Sequence, residues 1–132
     1  MSLVLVEAKD SVGMITLNNP EKRNALSHAL IDDLIGALAA LKEQNARCII
    51  LRAPAGSKVF SAGHDIGELP RGSRDPLTYS DPLRRGIRAI QIFPAPVIAM
   101  VEGSVWGGAF ELVMSCDMVY AAETSTFAMT PA

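Results

Sequence analysis

The sequence predicts an α/β fold, and two observations predict it. Short apolar runs rich in β-branched residues alternate with segments of helical periodicity, in the order β, β, α, β, α, β, α, β. That alternation is expected of a layered fold with largely buried strands. The clearest helical segment places Leu30, Ile31, Leu34, Ile35, Leu38 and Leu41 on one face.

The elements follow in order. Leu3 to Val6 and Gly13 to Leu17 read as paired strands, with turn chemistry in Ala8-Lys9-Asp10-Ser11. Asn18 to Asn24 is a polar loop in which Asn19-Pro20 favours a turn. Ser27 is a good N-cap, so a helix is expected from Ser27 to Glu43. Arg47 to Arg52 contains Cys-Ile-Ile-Leu and reads as a buried strand; Ala53 to Gly63 reads as a loop. Gly67 to Ser80, rich in Gly, Pro and Ser, reads as a mobile surface loop, with Arg71, Arg74, Arg84 and Arg85 as solvated charge in or near it. Asp81-Pro82 fits an N-cap and first helical residue; Leu83, Ile87 and Ile90 continue that helix until Pro94 and Pro96 stop it. Pro96 to Val101 reads as a buried strand, Gly103 to Gly108 as a glycine-rich turn, and Ala109 to Ser115 as a short apolar helix. Asp117 to Ala122 and Ser125 to Phe127 read as strands. No internal repeat, low-complexity tract or domain boundary interrupts the chain.

Composition narrows the function. With 49% apolar and 20% charged residues among 132, and a mean hydropathy of +0.25, the chain is not intrinsically disordered. Its net charge of −2 lacks the basic surplus of a nucleic-acid binder. No run approaches the roughly 18 apolar residues of a membrane span, and the start has no basic region of the signal-peptide kind. A cytoplasmic protein with no nucleic-acid or membrane partner is expected. Cys48 and Cys116 are too few for a disulfide scaffold and are expected to be reduced and buried. His28 and His64 are the only histidines, so no metal site is expected, and His28 is expected to be exposed. The ending Thr130-Pro131-Ala132, directly after a β-like Ser-Thr-Phe, is that expected of a chain cut inside its structure.

Two segments could carry chemistry. Phe60-Ser61-Ala62-Gly63-His64-Asp65-Ile66 and Glu102-Gly103-Ser104-Val105-Trp106-Gly107-Gly108-Ala109-Phe110-Glu111 each follow an apolar strand, contain glycine and lead toward a helix start. Helix starts present unpaired N–H groups and a positive dipole end to anions. Two such turns at the ends of adjacent strands would aim two N–H groups at one point, which is an oxyanion hole.

These two motifs, with Asn19-Pro20-Glu21-Lys22-Arg23-Asn24-Ala25-Leu26 before them, resemble the crotonase (enoyl-CoA hydratase/isomerase) superfamily in order and spacing. The resemblance runs from near residue 3 to the end. It implies ββα units wound into a spiral, of which residues 1–132 would be the N-terminal part of a single domain. It also implies assembly as a homotrimer or hexamer at full length, and an acyl-CoA thioester substrate. Coenzyme A would belong to that substrate, and no separate cofactor is expected. By position, the amides of His64 and Gly108 would hold the thioester oxygen, with Gly63 beside them. Lys22 and Arg23 match residues near the CoA phosphates. Ala25, Ala62, Asp65 and Ile66 match the lining of adenine and pantetheine, while Trp106, Phe110 and Thr130 would flank the acyl group.

Hydratases of this family use two glutamates. Glu111 matches the first, one helical turn beyond Gly108. Pro131, or Ala132 after a one-residue slip, stands where the second would be, and neither can transfer a proton. The wording of several motifs, among them Ser-Ala-Gly-His-Asp-Ile and Val-Glu-Gly-Ser-Val-Trp-Gly-Gly-Ala-Phe-Glu, is similar to a decarboxylating branch. That similarity implies conversion of methylmalonyl-CoA to propionyl-CoA through an enolate, with a tyrosine beyond residue 132 near the carboxylate. Hydration or isomerisation through Glu111, and acyl-CoA binding without turnover, stay open as alternatives. The 132 residues alone are expected to be inactive and prone to aggregate.

Overall fold

The computed structural model describes residues 2–65 and 81–129. These form eight strands and three α-helices in the order ββα, ββα, ββα, ββ. The expected α/β class holds, and the ββα unit implied by the family resemblance recurs along the described chain.

β1 (Val4–Lys9) and β2 (Val12–Leu17) form an antiparallel hairpin. Its turn is tighter than expected: Asp10 and Ser11 alone make it, both at positive φ (52° and 68°). Positive φ at both central residues matches the twist of the flanking strands. A 3-10 turn, Pro20–Lys22, precedes α1 (His28–Glu43). Ser27 caps α1 as expected, its Oγ accepting the Leu30 N–H at 3.1 Å. The face carrying Leu30, Ile31, Leu34, Ala37, Leu38 and Leu41 is buried.

β3 (Cys48–Arg52), β5 (Val97–Val101) and β7 (Met118–Ala121) add in parallel, giving a five-stranded sheet of order β1-β2-β3-β5-β7. β3 and β5 are buried on alternate residues only: Ile49 and Leu51 face the core while Met100 is exposed. The largely buried strands expected here are thus buried on one face and only partly covered on the other. α2 (Pro82–Ile92) is capped by Asp81 and ends before Pro94, and α3 (Gly108–Met114) completes the helices.

β4 (Val59–Ser61), β6 (Ser104–Trp106) and β8 (Thr126–Ala128) form a second, parallel sheet of order β4-β6-β8. Two expectations fail at this sheet. The loop expected over 53–63 contains β4, and the turn expected over 103–108 contains β6. Three residues carry too little pattern to mark a strand, and these exist only because a neighbour supplies the ladder. Cys48 and Cys116 are free, but half-buried rather than buried. His28 is exposed.

Candidate functional site

The second sheet positions the site. β4 and β6 are adjacent and parallel, so the turns that follow them, 62–64 and 107–108, emerge side by side. Gly63 sits at φ 89°, and a Cβ there would stand 2.6 Å from the Trp106 carbonyl oxygen and 3.3 Å from the Gly108 nitrogen. Only glycine allows this approach, since it accepts positive φ and projects nothing into the neighbouring backbone. A Cβ on Gly108 would in turn meet the His64 ring, 2.8 Å from Nδ1 and 3.0 Å from Cε1. Gly108 opens α3, where the first N–H groups have no intrahelical partner. Among the described residues, neither the His64 nor the Gly108 N–H has a hydrogen-bond acceptor.

The 18–26 loop locks onto the first turn. The Ala62 N–H donates to the Arg23 carbonyl at 2.9 Å, and the Leu26 N–H to the Gly63 carbonyl at 2.7 Å. A parallel bridge pairs Leu26 with His64. Two buried polar residues that the sequence reading did not single out hold this junction. Asn24 donates from Nδ2 to the Phe60 carbonyl at 3.0 Å, and its Oδ1 accepts the Asn19 N–H at 2.7 Å. Ser61 donates from Oγ to the Asn24 carbonyl at 2.7 Å and accepts the Gly63 N–H at 3.2 Å. Every one of these bonds is made to the backbone, so each fixes main-chain position. The signal in the sequence was a polar residue in each motif with no assigned chemistry.

Lys22, Arg23, Ala25, Ala62, Gly63, His64 and Asp65 are thereby brought together. Ala25 is buried and Arg23 exposed. Lys22 Nζ lies 3.7 Å from Asp65 Oδ2. A cleft of about 240 Å3 opens between the 20–24 loop and residues 54–59, with Arg23 and Lys58 on its walls. Lys58 is a cation the sequence reading passed over.

Other candidates are placed less closely. Glu111 lies in the first turn of α3 but is exposed while Gly108 is buried. Phe110 is half-buried and meets Phe127 edge-on, with ring centroids 6.1 Å apart. Trp106, expected to flank the acyl group, is 43% exposed and donates from Nε1 to Ser104 Oγ at 2.9 Å, so the described residues do not enclose it. Ile66, Thr130, Pro131, Ala132, Arg71 and Arg74 lie outside the described residues, as does any helix start immediately after His64. Among the described residues no helix is long and apolar enough to cross a membrane.

Residues 7–132 fit the enoyl-CoA hydratase/isomerase family, and the chain belongs to it. It is 64% identical over 122 residues to methylmalonyl-CoA decarboxylase of Escherichia coli (strain K12), covering 92% of this chain and 47% of that protein. It is 41% identical over 119 residues to the mitochondrial enoyl-CoA hydratase of Pongo abelii, covering 90% of this chain and 40% of that one. Among solved structures, methylmalonyl-CoA decarboxylase complexed with 2S-carboxypropyl CoA superposes with a TM-score of 0.95 at 61% identity, over 99% of this chain and 50% of that one. The chain thus spans about half the length of the relatives it matches.

Proposed function

We propose that the protein containing these residues decarboxylates methylmalonyl-CoA to propionyl-CoA and CO2. The observation that carries this is the 64% identity to the E. coli decarboxylase across nearly the whole chain. Relatives captured with 2S-carboxypropyl CoA and with 2-nitronate-propionyl-CoA support an acyl-CoA ligand. In the reaction the bond between Cα and the carboxylate breaks, and its electron pair passes through Cα to the thioester oxygen as CO2 leaves. The amides of His64 and Gly108 hold that oxygen while it gains charge. Removing one such donor costs on the order of 10²–10³ in kcat, the scale of an oxyanion-hole contact. No base is needed to form the enolate; a proton is needed afterwards at Cα.

Lys22, Arg23 and Lys58 supply charge for the CoA phosphates. Ala25, Ala62, Asp65 and Ile66 flank adenine and pantetheine, while Phe110 and Thr130 border the acyl group. Residues 1–132 form the N-terminal part of one domain. The complete protein assembles as a trimer or hexamer in the cytoplasm and takes no cofactor beyond the CoA of its substrate.

A hydratase reading rests on Glu111, which stands on the first turn of α3 three residues from Gly108. One assay separates the readings. The full-length protein is given methylmalonyl-CoA and, separately, crotonyl-CoA. CO2 release with no hydration is the expected outcome. Hydration abolished by Glu111→Gln overturns it in favour of a hydratase. Tight CoA-thioester binding with turnover of neither substrate overturns it in favour of a non-catalytic binder.

A further inference from the structure

The sequence marks Asp81 only as a helix cap, outside the three motifs that build the candidate site. As the N-cap of α2 it accepts the Leu83 N–H on Oδ1 at 2.8 Å. The same oxygen faces His64 Nε2 at 3.5 Å, and the two side chains are only 10% and 22% exposed. His64 Nε2 is itself cut off from solvent and has no hydrogen-bond partner among the described residues. A buried ring nitrogen without a partner is rare in folded proteins. Here the facing group is a carboxylate, an acceptor for an N–H. On the other side of the ring, Nδ1 lies 2.8 Å from the position a Cβ on Gly108 would occupy.

We infer that Asp81 is a positioning residue for the reaction proposed above, on which this inference rests, and that it acts through His64. In a neutral imidazole the partner of one nitrogen decides the state of the other. The Asp81 carboxylate draws the ring proton to Nε2 and so presents the Nδ1 lone pair toward Gly108. It also stops the ring from turning and so steadies the backbone of residue 64, whose N–H is one of the two proposed donors. The start of α2 and the 62–64 turn therefore share a single oxygen as their anchor.

The test uses the full-length protein with Asp81→Ser and Asp81→Asn. Serine is as good an N-cap but too short to face His64 as well; asparagine keeps a side-chain oxygen for both roles. For Asp81→Ser, kcat is expected to fall on the order of 10²-fold, the scale of a small misplacement near reacting atoms. KM should stay within about twofold, as for a contact that matters only in the transition state. Asp81→Asn should recover most of the rate. The 15N signals of the His64 ring, assigned by comparison with His64→Gln, should report the Nε2–H tautomer in the wild type and Asp81→Asn, and mixed tautomers in Asp81→Ser. Wild-type kcat with an unchanged ring signature in Asp81→Ser overturns the inference. So does a rise in KM alone, or an Asp81→Asn protein as slow as Asp81→Ser. If the wild-type protein releases no CO2, the proposed reaction falls, while the tautomer readout still decides whether Asp81 governs His64.

Discussion

The five-stranded sheet is built from strands of four to six residues, and Ile15, Leu17, Ile49, Leu51, Val97 and Ala99 are buried at 1% exposure or less. The three-stranded sheet has three-residue strands, and its buried side chains are Phe60, Ser61 and Val105. Apolar burial places the first sheet, and burial is non-directional, tolerating exchange of one apolar residue for another of similar volume. Side-chain hydrogen bonds from Asn24 and Ser61 to main-chain carbonyls, and the close approach of Gly63 to residues 106–108, place the second. Such constraints are directional and fail on small displacements. The large sheet supplies stability, and the small one supplies geometry.

Mutations can break this division. Leu34→Ala on the buried face of α1 should cost about 2–5 kcal/mol, the usual range for a core leucine, read as a lowered denaturant midpoint. The same variant should keep wild-type kcat per folded molecule. Gly63→Ala reverses the pattern. Strain at φ 89° and the clash with the Trp106 carbonyl should cost about 1–3 kcal/mol. Displacement of His64 should cost on the order of 10²-fold in kcat. Gly36→Ala is the control glycine. Gly36 is exposed within α1 and a Cβ there meets nothing within 4 Å. Alanine should therefore stabilise by up to about 1 kcal/mol, read as a raised Tm with activity unchanged.

The remaining effect concerns pH. Burial, and secondarily the Asp117 carboxylate, push the Cys116 thiol up from 9.0 to about 12. The unfolded chain then loses this proton before the folded chain does. Stability from this group is intact below about 9 and declines as pH rises toward 12. Urea midpoints of wild type and Cys116→Ala, compared at about pH 8 and about pH 10.5, should show the wild type losing more on the shift to high pH.

Much of the large sheet and its helices was legible because those elements are long enough to show a period. Ser27 and Asp81 were readable as caps, since a capping side chain bonds within its own turn. β4 and β6 were not readable, because each depends on a ladder partner more than 20 residues away. At the site, the glycine turns were legible as motifs through family resemblance. The roles of Asn24 and Ser61 in holding them were not, because a buried hydrogen bond to a distant carbonyl leaves no local pattern.

From the sequence alone came the α/β class, the capped helices, the hairpin and the identity of the glycine-bearing segments, because these follow from local propensity and periodic burial. Only the tertiary structure decided that the 62–64 and 107–108 turns lie together, that Asp81 faces His64, and that the described residues leave Trp106 43% exposed. Such facts depend on which distant segments share a ladder, and that choice is settled by the packing of the whole chain.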